Sequence, residues 1–125
     1  MTADGTTMFE RYGGFASIRA MVMDFYERVL DSENAGDHFD GIDMPRLIDH
    51  QTKFIAALTG GPAEISDDRL ARAHRHLRVT HPEFDEIVAL LAQTLAGAGF
   101  KKADASSVLC AVEARRHLIV TREAA

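Results

Sequence analysis

One cysteine, Cys110, occurs in 125 residues. That excludes an internal disulfide and any paired-cysteine motif for attaching a cofactor. No apolar run approaches the length of a membrane span, and the N-terminus lacks the charged-then-apolar order of a secretory signal. The expected compartment is the cytoplasm, with no membrane partner. Basic residues are outnumbered, 14 Lys and Arg against 19 Asp and Glu, so no broad basic surface is available for nucleic acid. There is no internal repeat, no sustained alternation of period two and no Gly-rich phosphate loop. What is present is ordinary globular composition, 46% apolar and 26% charged, enough for one domain with a modest core.

The apolar residues recur instead at helical spacing. Residues 1–7 are small and polar and are expected to be a flexible, frayed N-terminus, leaving 8–122 as a single domain. A brief helical piece over 8–12 closes at Gly13-Gly14. Over 15–30, Ile18, Met21, Val22, Phe25 and Val29 form one stripe, with Tyr26 at its edge beside Val22 and Leu30. Residues 31–43 read as a turn-rich connection, from which Phe39 is expected to reach the core. The helix over 44–58 has Asp43 as its cap and Pro45 in its first turn. Its inner face carries Leu47, Gln51, Phe54, Ile55 and Leu58, and Gly60-Gly61-Pro62 stops it. A short helix then holds Leu70, Arg72, His74, Arg75, His76 and Leu77. The spacing predicts a long helix over 84–98 striped by Phe84, Ile87, Val88, Leu91 and Leu95. A last helix starts at Asp104 or the nearby serines and is striped by Val108, Leu109, Val112, Ile119 and Val120. The fold class is all-α.

Three polar residues stand where apolar ones are expected. His74 shares a face with Leu70, Ala73 and Leu77, so its imidazole points inward; it is either a metal ligand or a core histidine bonded to a backbone carbonyl. Gln51 sits central in an apolar stripe, where an amide costs free energy unless backbone or a bound polar ligand meets it. Tyr26 buries its ring and carries its hydroxyl to the border of whatever its stripe covers, or finds a backbone partner there. His50 flanks the same stripe as Gln51.

The order of these pieces resembles a known family, the truncated haemoglobins of the first group. The pieces that carry it are Phe9-Glu10-Arg11-Tyr12-Gly13-Gly14 and Phe25-Tyr26-Glu27-Arg28-Val29-Leu30, then His38-Phe39 and Met44 through Leu47. His50-Gln51 with Phe54, Gly60-Gly61-Pro62, Ala73-His74 with Leu77, and Phe84-Asp85 complete it, over roughly residues 8–120. The resemblance implies a truncated globin fold, a two-over-two helical sandwich around haem b. It implies His74 as the proximal iron ligand. Tyr26 and Gln51 would be the distal donors to a bound diatomic ligand, with Leu47 at the position of the usual distal histidine. Phe39 would pack on the porphyrin edge. Met44, Phe54, Leu70, Leu77, Val79, Phe84 and Ile87 would complete the haem pocket, and Arg46, Arg72 and Arg75 would be candidates for the propionates.

Two histidines resemble the cyanobacterial branch of that family. His50 would there bind iron on the distal side in the absence of an external ligand, or else meet a propionate or solvent. His117 stands where some members bond a haem vinyl group, although helical periodicity puts it well off the Val112 and Ile119 stripe. The function implied is reversible binding of O₂, NO and CO by a monomer or weak dimer, with possible NO detoxification through an external reductase. The alternatives are a gas or redox sensor without catalysis and a haem-free helical interaction protein.

Overall fold

The computed structural model describes residues 7–32, 43–63, 66 and 79–120. Among them no strand occurs, and six helices follow one another. They are α1 (Met8–Arg11), α2 (Gly14–Leu30), α3 (Met44–Leu58), α4 (His81–Gly97), α5 (Lys102–Glu113) and α6 (Arg116–Ile119). The all-α expectation holds. Helix α2 packs on α3 and on α4, α4 packs on α5, and α3 touches α5. The two long pairs α2–α3 and α4–α5 therefore enclose the core between them.

Local chemistry explains where the helices start and stop. Thr7, expected to fray, is instead the N-cap of α1: its hydroxyl accepts from the Glu10 N–H, and the Glu10 carboxylate reaches back to the Thr7 N–H. Gly13 and Gly14 both hold positive φ, +99° and +73°, which lets α2 turn off α1 directly. Asp43 caps α3 by accepting from the Arg46 N–H at 3.2 Å. Gly61 ends that region under Phe9, where an added Cβ would lie 2.6 Å from the ring. Helix α4 starts at His81, three residues before the expected Phe84. Thr80 and Glu83 form a capping box there, and Pro82 fits the first turn, where no N–H is needed.

The stripes are mostly as the spacing predicts. On α2, Ile18, Met21, Val22, Phe25, Tyr26 and Val29 are buried. Leu30, expected beside Tyr26 at the edge, is 46% exposed, whereas Tyr26 is buried, as expected of its ring. On α3 the buried residues are Thr52, Phe54, Ile55 and Ala56, while Leu47, Gln51 and Leu58 are half-buried. Buried Thr52, Thr59 and Thr94 satisfy their hydroxyls by donating to carbonyls one turn back, at 2.7, 2.9 and 2.8 Å.

The last helix departs most from expectation. It starts at Lys102 rather than Asp104 and breaks between Glu113 and Arg116, giving α5 and α6. Val120 leaves helical geometry to form an isolated parallel bridge with Val79. At the other end of the fold, the Tyr12 hydroxyl supplies the missing cap of α5. It accepts from the Lys101 N–H at 2.9 Å and donates to Asp104 at 2.5 Å, while Arg11 donates to both oxygens of that carboxylate. The Tyr12 ring stacks on Phe100 at 3.8 Å. None of the helices is long and apolar enough to cross a membrane, among the described residues.

Candidate haem pocket

Between the helix pairs lies an open-mouthed cavity of about 730 Å³, counting the space at its mouth. Helix α2 contributes Met21, Val22, Phe25, Tyr26 and Val29, and α3 contributes Gln51, Phe54 and Ile55. Phe84, Ile87 and Leu91 of α4, Val112 of α5 and Ile119 of α6 complete the wall with Val79. Of these described residues only Tyr26 and Gln51 are polar, and their side chains are hydrogen-bonded to each other. A mainly apolar cavity with a few convergent polar groups is the general form of a small-molecule or cofactor site.

The state of Tyr26 follows from its surroundings. Burial pushes its phenol above the ordinary tyrosine range, and the hydrogen bond with Gln51 offsets this only in part. The hydroxyl therefore keeps its proton across the physiological range and stays a donor. Gln51 is half-buried at the cavity wall, so its amide has both a protein partner and a face toward the cavity.

The structure thus brings together Tyr26, Gln51, Phe54, Val79, Phe84 and Ile87 of the residues expected from the sequence. It does not bring Met44, Arg46, Leu47, His50 or His117 into the described lining. Met44 and Leu47 are half-buried and pack against the core, while Arg46 is exposed. His50 is half-buried with its Nε2 shielded from solvent, and His117 is exposed on α6. His74, Phe39, Leu70, Arg72, Arg75 and Leu77 lie outside the described residues. Met21, Val22, Phe25, Val29, Ile55, Leu91, Val112 and Ile119 line the cavity without having been singled out for it. Periodicity marks most of them as buried, but a wall and a solid core give the same stripe.

A family model described as bacterial-like globin matches residues 7–121. The chain belongs to the bacterial-like globins. Its relatives place it among the group 1 truncated haemoglobins. It is 31% identical to one from Mycolicibacterium paratuberculosis over 122 residues, 98% of this chain and 90% of that one. It is 34% identical to one from Tetrahymena thermophila over 89 residues, 71% of this chain and 74% of that one. Among solved structures, the Fe(III) truncated haemoglobin of Tetrahymena pyriformis superposes with a TM-score of 0.81 at 30% identity, covering 92% of this chain and 98% of that one. The 2/2 haemoglobin of a Synechococcus species, with covalently attached haem, superposes with a TM-score of 0.84 at 26% identity, covering 94% and 100%. The fold is therefore the two-over-two helical sandwich of the truncated globins.

Haem is the cofactor of this globin. The residues present fit it: the phenyl rings of Phe54 and Phe84 and the aliphatic side chains around them offer apolar walls to a porphyrin. Two donors at one wall suit a small polar ligand rather than the macrocycle itself. In this bacterial-like globin His117, the residue for which the resemblance implies a covalent bond, faces solvent.

Proposed function

We propose that this globin retains O₂ reversibly under Tyr26 and Gln51 and that, with an external reductase, it oxidises NO to nitrate. The observation that carries the reading is the hydrogen-bonded Tyr26–Gln51 pair at the wall of an otherwise apolar cavity. Bound haem supplies an iron centre to which a diatomic gas can attach, with His74 as its proposed protein ligand. The chain's own residues do the rest. Tyr26, held protonated by burial, directs an O–H toward the space in which a diatomic ligand gathers negative charge. Gln51, on a different helix, holds that hydroxyl in place and offers its own amide. Donors fixed in a dry site need little reorganisation when charge develops, so they slow ligand escape. The surrounding apolar side chains keep bulk water away from those donors.

Retained O₂ is what NO oxidation needs. The balance is NO plus O₂ plus one electron giving nitrate, and the electron comes from the reductase. Absorption spectra of the purified protein in ferric, ferrous and CO-bound states test haem and gas binding together. NO consumption by the oxygenated protein with a supplied reductant tests the turnover. Haem spectra with sustained NO loss and matching nitrate support the whole reading. Haem spectra with a single stoichiometric loss of NO would limit the function to gas binding, and a colourless protein unable to take up haem would overturn it.

A further inference from the structure

Arg116 occupies an unusual place at the cavity's outer wall. It lies on α6 and uses all three guanidinium nitrogens. Nε donates to Glu113 at 2.8 Å, Nη1 faces His81 Nδ1 at 3.1 Å, and Nη2 pairs with Asp85. Its Cζ also lies over the Phe84 ring, 4.5 Å from the centroid. Phe84 is 1% exposed and lines the cavity, as does Ile119, which stands three residues beyond Arg116 on the same helix. Next along, Val120 pairs with Val79, another lining residue. One side chain therefore ties together the start of α4, the end of α5 and α6 at the point where these elements form the wall.

We propose that Arg116 is a positioning residue for the haem cavity: its guanidinium holds the Phe84 and Ile119 walls in register, so that haem is retained. This rests on the haem-protein reading above. The energetic case is not one of ion pairing alone, because Asp85 and Glu113 have side chains 64% and 50% exposed and such pairs contribute little singly. The distinctive contribution is geometric. A planar fork can satisfy three partners and still cover an aromatic face, which an ammonium cannot do.

The His81 contact depends on which form the imidazole takes. Nδ1 can accept from Nη1 only while the ring is neutral; a protonated imidazole has no lone pair there and sets a second positive charge beside the guanidinium. The charged groups around this contact, among the described residues, are Asp85 on α4, Glu113 on α5 and Arg116 itself. Glu83 is also near in sequence, but its carboxylate turns back to the Thr80 N–H.

The test is haem transfer from the loaded protein to excess apomyoglobin, followed in the visible band. Arg116→Gln and Arg116→Lys should both release haem about tenfold faster than the native chain, since neither supplies a stacked guanidinium. His81→Gln keeps a neutral acceptor at every pH. The ratio of native to His81→Gln release rates should therefore rise as the solution is acidified. Native-like release by Arg116→Lys would overturn the positioning role, and so would a ratio that does not change with pH. If Arg116→Gln fails to fold, the other two variants decide the matter. A native chain that takes up no haem would overturn the functional reading instead, which is a separate outcome.

Discussion

Tyr26 and Gln51 reach the cavity from α2 and α3, and each is the other's side-chain partner. Truncating either one therefore does two things: it removes a donor and it releases the remaining side chain from its fixed direction. Hydrogen bonds to groups carrying charge contribute roughly 1.5–3 kcal/mol each. Tyr26→Phe and Gln51→Leu should accordingly speed O₂ dissociation by about one to two orders of magnitude, measured by stopped flow. The double variant should be faster than either by less than the product of the two effects, because the pair acts as one unit. Native rates in both single variants would remove these residues from ligand retention. At this scale the residue types were readable and their depth was not. Gln51 was conspicuous as an amide in an apolar stripe. Spacing puts Tyr26 beside Val22 and Leu30 at the edge of its stripe, yet Tyr26 is buried and Leu30 faces solvent. Periodicity gives an angle around a helix axis but not how far the partner helix extends along it.

At the scale of elements, long stripes gave the helices α2, α3 and α4 to within a few residues, because each buries one continuous face. The ends that depend on distant partners were hidden. Helix α5 carries no cap of its own on Lys101, and the hydroxyl that serves it belongs to Tyr12, far off in sequence. The break before α6 has no Gly or Pro to announce it, and it coincides with the tertiary contacts of Arg116 and the pairing of Val120 with Val79. Asp104 tests the first of these junctions. The Arg11 guanidinium beside it, with the Tyr12 hydroxyl next in strength, holds its carboxyl below the usual aspartate range. A lowered folded-state value gives stability that is present above the unfolded value, about 3.9, and is lost as pH falls through the folded one. Asp104→Asn should therefore cost about 1–2 kcal/mol near neutral pH, discounted for the partial exposure of Arg11, and the difference from native should shrink on acidification. Urea unfolding at pH 7 and at pH 3 measures both. A difference that persists unchanged at pH 3 would mean that the carboxylate charge is not what joins α1 to α5.

For the whole molecule, the cavity divides what would otherwise be one core. Among the described residues, twelve of the eighteen buried apolar ones line it, from Met21, Val22 and Phe25 on α2 to Val112 and Ile119 near the C-terminal end, so a haem bound there would complete the packing. A ligand that binds the folded chain and not the unfolded one adds stability that grows with the logarithm of its concentration relative to its dissociation constant. At a haem concentration about a thousandfold above its dissociation constant this is about 4 kcal/mol, which for a domain of this size raises the melting temperature by about 15 °C. The gain depends on the iron's attachment as well as on the apolar walls, and His74 is the proposed attachment. Calorimetry of haem-free and haem-loaded native protein should show the full rise. His74→Ala should lose most of it while keeping the haem-free melting point, and free imidazole should restore part by supplying the missing ligand. His76→Ala, at a position that helical spacing would put on a different face, should behave as the native chain does. Equal shifts in the two histidine variants would reassign the iron ligand, and no shift in the native protein would mean that the cavity between the helix pairs is not where haem binds.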